Sequence, residues 1–308
     1  MFIITGGAGL IGSNMVKALN QRGISEILVV DDLKEGIKFR NLADCDIVDY
    51  VDRLDFIKRI QAGWEFGKID AVVHEGACSA TTEWDGEFIM KNNFEYTKTL
   101  LHWCQSIEAP FIYASSASVY GMGPVFKEAR QYERPLNLYA FSKFQFDQYL
   151  RRHWNALASQ VAGLRYFNVY GPRQDPRSAY SGVISKFCER IVANAPLTVF
   201  GDGEQTRDFI AVSDVAQANL AALQSDVRGV INVATGTSIT LLQLIDAFAS
   251  LCGRRLDVEH APPRAGEVRD SSVSPTRLQR DLAAPARSTL QVGLRELLRS
   301  LGVECAEL

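Results

Sequence analysis

The stretch ITGGAGLIGSNMVKAL at residues 4–19 constrains this chain more than any other. It packs Gly6, Gly7, Gly9 and Gly12 into seven residues, directly after the apolar run Phe2–Ile4. Glycine loses the most backbone entropy on folding, so this density marks a place where side chains are not tolerated. Gly6, Gly9 and Gly12, with Leu10 and Ile11 between them, lie where a strand should hand over to an amphipathic helix. A pyrophosphate placed there meets free N–H groups and the positive end of the helix dipole. The glycines allow the turn, the close approach of phosphate and the packing of helix on strand. An acidic pair, Asp31–Asp32, ends the next predicted strand about 20 residues further on. A carboxylate there binds a ribose 2′-hydroxyl and repels a 2′-phosphate, which favours NAD. Lys38 and Arg40 nearby pull toward NADP.

The pattern that follows is alternating. Strands are expected at Phe2–Thr5, Ile27–Val30, Ala71–His74, Phe111–Ser115 and Val161–Tyr166, and helices at Leu10–Gln21, Leu54–Ala62, Asp85–Gln105 and Ala140–Trp154. Strands separated by helices imply right-handed βαβ units. The fold class is therefore α/β, a Rossmann-type doubly wound parallel sheet over residues 1–167. Beyond about residue 168 the pattern loosens. YGPRQDPRSAYSG (170–182) and HAPPRAGEVRDSS (260–272) read as loops, TVFGDGEQTRDFIAV (198–212) as strand, turn and strand. Helices are expected at Ser181–Ala193, Val215–Leu223, Leu241–Leu251 and Val292–Leu301. Residues 168–308 are read as a smaller α/β substrate lobe across a cleft, with some segments returning to the first domain.

A net charge of −3 gives no reason to expect nucleic acid or a membrane surface as partner. No apolar run approaches the roughly 20 residues that span a bilayer. The N-terminus lacks a basic, cleavable leader, and the six scattered cysteines form no C-x-x-C pair, so reduced thiols in the cytoplasm are expected. His74, ending an apolar strand, and His102 show no metal-ligand spacing with Cys78; no metal is expected.

Tyr139 and Lys143, in NLYAFSKF, share a helix face four residues apart. A free tyrosine ionises near pH 10. An ammonium and an oxidised nicotinamide nearby favour the phenolate and fit it for proton abstraction. Ser116, in YASSASVYG at a strand end, can donate to a substrate oxygen and help shuttle the proton.

TGGAGLIG, SSASVYG and Tyr139-x-x-x-Lys143 together resemble the extended short-chain dehydrogenase/reductases, and the likeness runs from residue 1 to at least 285. The resemblance implies a nucleotide-sugar in the cleft and a sugar hydroxyl oxidised transiently, then re-formed from the other face: an epimerisation. Family 4,6-dehydratases carry an Asp-Glu pair after the strand-end Ser or Thr; Ala117–Ser118 stands there instead. By resemblance, Glu75, Gly76, Ala77 and Asn93 lie along the cofactor. Paired helices of the first domain imply a homodimer or higher homo-oligomer.

The sugar stays open between two members. VVHEGACSATTEWDGEFIMKNN (72–93) is similar to the ADP-glycero-manno-heptose 6-epimerases, which turns Ser79, Thr82 and Glu83 toward the sugar; the alternative for TTEWDG is helix capping. GPRQDPRSAYSGVISKF (171–187) and VFGDGEQTRDFIAVSDVA (199–216) look more like the UDP-hexose 4-epimerases. In the heptose enzymes a lysine in the loop after Gly-Pro-Arg acts as a second base. Arg177 stands there, a poor base because it stays protonated, though able to bind an oxygen anion. Lys186 is expected a few turns down the following helix. Arg207 and Arg264 match the family's phosphate-binding arginines, with Arg269 as an addition; Asn168 would bond the substrate, Glu267 the nucleotide ribose, and Phe200 would floor the base pocket.

Overall fold

A computed structural model describes residues 1–175, 182–263, 269–271 and 273–306. In chain order its elements are β1 (Phe2–Thr5), α1 (Leu10–Asn20), β2 (Ile27–Asp31), β3 (Asp49–Asp52), α2 (Arg53–Gln61), β4 (Ala71–His74), α3 (Gly86–Ile89), α4 (Tyr96–Ser106), β5 (Phe111–Ser116), α5 (Leu138–His153), β6 (Val161–Tyr166), β7 (Asn168–Tyr170), α6 (Val183–Val192), β8 (Leu197–Phe200), β9 (Thr206–Ala211), α7 (Val212–Leu223), β10 (Gly229–Val233), β11 (Ser238–Thr240), α8 (Leu241–Cys252), β12 (Val258–Ala261), α9 (Thr276–Leu282) and α10 (Leu290–Ser300). Seven strands form one parallel sheet in the order β10-β6-β5-β4-β1-β2-β3. The Rossmann-type α/β class read from the sequence is the observed one.

Alternation along the strands sorts the core into two layers. Ile4, Val29, Val73 and Ile112 face α1 and α7. Ile3, Leu28, Val30, Val72 and Phe111 face α2, α4 and α5 on the other side. A strand buried on both faces reads as a continuous apolar run, which is why β1, β2 and β4 are so apolar. The strand order reverses between β1 and β4, where Thr5 pairs with His74. In open α/β sheets, ligands bind outside the strand ends at such a reversal.

The second half is woven rather than appended. β7, β9 and β11 form a three-stranded sheet and β8 pairs with β12. Around them α6, α8 and α10 bury Phe187, Leu244, Phe248 and Leu297 in a separate core. Yet α7 packs on α1, and β10 pairs with β6 from Gly229↔Ala162 to Val233↔Tyr166.

Candidate active site

The carboxyl ends of β1, β2, β4 and β5 open on one cleft of about 2010 Å³. Ligand pockets commonly span roughly 300–1,000 Å³, so this one has room for two ligands. Gly6, Gly9, Leu10, Ile11 and Gly12 line it. Gly6 has φ +68°, and a Cβ on it would lie 2.5 Å from Gly76 N and 2.7 Å from the Glu75 carbonyl carbon. A Cβ on Gly12 would collide with the Gly6 carbonyl oxygen. The turn therefore admits no side chain at either position. α1 begins at Gly9 with no side-chain cap, so its first amides are available to an anion.

Asp31 and Asp32 both line the cleft, but their carboxylates differ. Asp31 is buried; its Oδ2 accepts from Ala8 N at 2.8 Å and its Oδ1 from Asp32 N at 2.7 Å and from Lys38 Nζ. Lys38 thus fills Asp31 and also donates to the Asp32 carbonyl. Asp32 accepts from Arg53 Nε at 2.8 Å. Burial raises its pKa, but the Arg53 hydrogen bond and the charges of Lys38, Arg53 and Lys34 outweigh this and hold it below the usual carboxylate range. Arg40 lines the cleft as well. Arg53 is a site residue that sequence reasoning missed; nothing in RLDFIKRIQ distinguishes it from a solvated helix-start charge.

Glu75, Gly76 and Ala77 line the cleft after β4. Tyr166 OH donates to Glu75 Oε1 at 2.7 Å, and Asn219 Nδ2 donates to that phenol at 2.9 Å. Glu75 Oε2 is shut off from solvent with no hydrogen-bond partner. Burial pushes this carboxyl up to about 7, against the Tyr166 bond and the Lys143 charge. Asn93, expected along the cofactor, is instead buried behind the loop. It holds Cys78 through the backbone N–H at 2.9 Å and C=O at 2.9 Å, and reaches Ser142 Oγ at 3.1 Å. The π-helical turn Met90–Glu95, inside the single helix expected over Asp85–Gln105, carries Asn93. Such turns recur at functional sites.

Ser116, Tyr139 and Lys143 are brought together in the same cleft. Asn137 caps α5, its side chain accepting from Ala140 N at 2.8 Å, which sets Tyr139 and Lys143 in the first two turns. Ser116 stands near enough to the Tyr139 phenol to favour its ionised form, and its Oγ accepts from Ser118 Oγ at 2.9 Å. The Lys143 ammonium donates to the Ala114 carbonyl at 2.8 Å. Burial pushes Lys143 down to about 8, opposed by the carboxylates of Glu75 and Asp147. Tyr139 departs from expectation. Burial raises its pKa, and Ser116, rather than the lysine charge, is what opposes the rise.

The sugar end is mixed. Ser79 lines the cleft, and Thr81 stands there where Thr82 was expected; Thr82 is exposed. Glu83 does not turn to the cleft: its Oε1 accepts from Trp84 N and Asp85 N, each at 2.9 Å. Asp85 in turn caps Phe88 N at 2.9 Å. Capping is thus what TTEWDG does at these positions. Asn168, Phe200 and Arg207 line the cleft. Asn168 donates to the Asp208 carbonyl at 2.8 Å, and Arg207 to the carbonyls of Thr206 at 2.7 Å and Arg269 at 3.2 Å. The Arg269 guanidinium pairs with Asp202 at 3.1 Å on the surface. Lys186 sits in the first turn of α6 and lines the cleft, closer than the sequence suggested. Arg177, Arg264 and Glu267 lie outside the described residues.

His74 is structural. Thr97 gives its hydroxyl proton to the Asn93 carbonyl, so it accepts from His74 Nε2, and Thr5 Oγ1 donates to Nδ1. The ring is neutral, with burial holding its pKa well below the usual value. His102 bonds Tyr149 OH at 2.7 Å on the surface. Among the described residues no cluster of His, Cys, Asp or Glu suits a metal ion, and no helix is long and apolar enough to cross a membrane.

Solved structures share this architecture end to end. UDP-glucose 4-epimerase from Thermotoga maritima, with UDP-glucose, superposes with a TM-score of 0.88 at 29% identity, 98% of each chain being covered. ADP-L-glycero-D-manno-heptose-6-epimerase from Helicobacter pylori gives 0.87 at 28%, covering 98% of this chain and 96% of that one. UDP-glucose 4-epimerase from Thermus thermophilus, in complex with NAD, gives 0.85 at 31% over 98% of both. A family model covers residues 2–234, from the glycine turn through the Ser116–Tyr139–Lys143 cluster to the end of β10. With the motifs in place and their side chains in one cleft, this chain belongs to the NAD dependent epimerase/dehydratase family.

Proposed function

We propose that the protein is an isomerase, an NAD-dependent nucleotide-sugar epimerase that works by transient oxidation to a keto-sugar. The observation that supports this best is the convergence of Ser116, Tyr139 and Lys143 on the cleft that the glycine turn also lines. The residues present fit a dinucleotide: a turn without side chains, an uncapped helix start and a carboxylate, Asp32, at the next strand end. When bound, NAD supplies the hydride acceptor and donor. Gly9 to Gly12 would hold its pyrophosphate, and Asp32 its ribose.

Tyr139 removes the proton from the sugar hydroxyl as the carbon is oxidised. The Ser116 hydroxyl, which favours the ionised form of Tyr139, steadies the phenolate and the sugar oxygen. Lys143 lines the same cleft and holds the end of β5 through Ala114. Arg207 lies in the lobe that would face the diphosphate, where a guanidinium fork suits phosphate oxygens. The keto-sugar then presents its other face, and Tyr139 returns the proton. A second copy of the chain docking through α4 and α5 fits the paired-helix pattern read from the sequence, and the cytoplasm fits the free thiols.

For the substrate we favour ADP-glycero-manno-heptose, epimerised at C6, because the HEGACS and TTEWDG stretches carry the more specific match. UDP-glucose and UDP-galactose are the second reading, supported by GPRQDPRSAYSG and by Arg177 in place of a lysine. Purified protein incubated separately with each nucleotide-sugar, and followed by chromatography and NMR, tests both. Epimer formation without net change in dinucleotide redox state is expected from one of them. Turnover of neither rejects both substrates, and stoichiometric consumption of dinucleotide would make the enzyme a dehydrogenase or reductase instead. In R177K, a gain of 6-epimerase activity is expected if position 177 carries the second base.

A further inference from the structure

Glu75 is left over when the proposed chemistry has been assigned. It follows β4 at the point where the strand order reverses, and its backbone lies against Gly6. It lines the cleft beside Tyr139 and Lys143. One oxygen is held by Tyr166, which Asn219 holds in turn; the other is buried with nothing to bond it. A buried acceptor without a donor is unfavourable, and sites that keep one generally use it. Every hydrogen bond made to this carboxyl by a described side chain comes from a neutral group. The nearby cation, Lys143, acts on Glu75 through its charge but spends its hydrogen bond on Ala114.

We propose that Glu75 is the counter-charge for the oxidised cofactor: a carboxyl that gives up its proton when a cationic dinucleotide ring enters the cleft, so that the site prefers the oxidised form over the reduced one. This rests on the NAD reading above. The oxidised nicotinamide ring carries a positive charge and the reduced ring is neutral. The redox ring must work on the carbon whose hydroxyl meets Tyr139, and the Glu75 charge is felt by both Tyr139 and Lys143. A buried carboxylate is weakly screened, so its charge discriminates between a cation and a neutral ring. The step is a simple ionisation: the O–H bond of the carboxyl breaks, the electron pair stays on oxygen and the proton passes to solvent.

The environment places this ionisation in the working range. Burial pushes Glu75 up to about 7, so at neutral pH it is poised between its two forms. The groups facing it are Tyr166 from β6, whose hydrogen bond lowers the pKa; Lys143 from α5, whose charge lowers it; Tyr139 from α5, which it raises; and Asn219 from α7, which is neutral. His74, next to it on β4, is neutral as well. Binding a cation lowers the pKa further, so NAD⁺ affinity must rise with pH until Glu75 is ionised in the free protein.

The test is equilibrium binding of NAD⁺ and of NADH to the full-length protein across about pH 6 to 8, with proton release read by calorimetry in buffers of different ionisation enthalpy. For the wild type, NAD⁺ should tighten by up to about tenfold per pH unit as pH rises toward about 7, releasing a fraction of a proton, while NADH affinity stays flat. E75Q keeps an acceptor for Tyr166 but no charge. It should lose that slope and, at about pH 8, bind NAD⁺ relative to NADH at least about tenfold less well; at about pH 6 it should match the wild type. Lys143 also titrates near this window, so the difference between E75Q and wild type is the discriminating quantity. Should E75Q fold poorly, Y166F gives an independent arm. Removing that hydrogen bond raises the Glu75 pKa, so the pH range over which NAD⁺ affinity rises moves upward. Equal slopes and equal NAD⁺ to NADH ratios in wild type and E75Q, or an unmoved pH range of the affinity rise in Y166F, overturn the proposal while leaving the NAD reading intact. Failure of either dinucleotide to bind overturns both.

Discussion

Gly6→Ala puts the cleft's geometry to a quantitative test. Gly6 sits at φ +68°, where a side chain costs about 1–2 kcal/mol. Its new Cβ would lie 2.5 Å from Gly76 N and 2.7 Å from both the Glu75 carbonyl carbon and Gly76 Cα. Real contacts of this kind stay beyond 3.0 Å, so the two backbones must part by about half an ångström. No flexible side chain can absorb the shift, because every one of those atoms is main chain. Overpacking of this kind costs about 1–3 kcal/mol. The sum is about 2–5 kcal/mol, which for a chain of this length lowers Tm by roughly 3–8 °C. The parting falls between β1 and β4, where Glu75 N donates to the Thr5 carbonyl at 2.9 Å, so the turn that would hold the pyrophosphate is displaced too. Thermal melts with and without NAD read both effects. The wild type should gain about 2.7 kcal/mol at a hundredfold excess of NAD over its Kd, and G6A should gain almost none. A G6A protein within about 0.5 kcal/mol of wild type that keeps the full NAD-dependent rise would refute the close approach of these strand ends.

Tyr139→Phe should lower kcat by about 10²–10⁴-fold while leaving dinucleotide binding and Tm near wild type; retained activity removes the tyrosine from the chemistry. Arg165→Met should cost about 3–5 kcal/mol in urea unfolding, because it leaves Glu133 and Asp147 buried beside an apolar chain; Arg165 is wholly buried and donates to both. His74 is held neutral in the fold, so the unfolded chain binds the extra proton once pH drops below about 6.5, and stability should fall there by up to about 1.4 kcal/mol per pH unit. His74→Asn should flatten that slope, and an unchanged slope would mean that other groups govern it.

What the sequence made legible was whatever depends on local pattern. β1, β4 and β6 begin and end where their apolar runs do, and the Tyr139/Lys143 pair follows from helical spacing. Strands with little apolar content were invisible. β3 is DYVD, with only Val51 buried, and β12 is VEHA, mostly exposed, so each is a strand because of its neighbour rather than its own preference. GVINV passed unnoticed as β10 because nothing local says which sheet it joins. The π turn at Met90–Glu95 inserts one residue into a helical period and swings Asn93 inward, a shift that a 3.6-residue pattern cannot register. Glu83 turned out to be a cap and Asp31 a receptor for Ala8 and Lys38, because nearby backbone and side-chain donors won the competition for their carboxylates. Those contests are decided in three dimensions.

The return of β10 to the large sheet limits how such a protein can exchange parts with its relatives. The stretches whose motifs were read above as resembling the hexose enzymes lie after residue 168, and so does this edge strand, paired through five successive residues with β6. A gene recombined near that boundary inherits new sugar contacts together with a foreign strand that must mate with the old Val161–Tyr166 edge, and a foreign α7 that must fit α1. Hybrids therefore survive only where two packing interfaces of the scaffold already match. Borrowing specificity in this architecture is filtered by compatibility of scaffold before it is ever filtered by substrate.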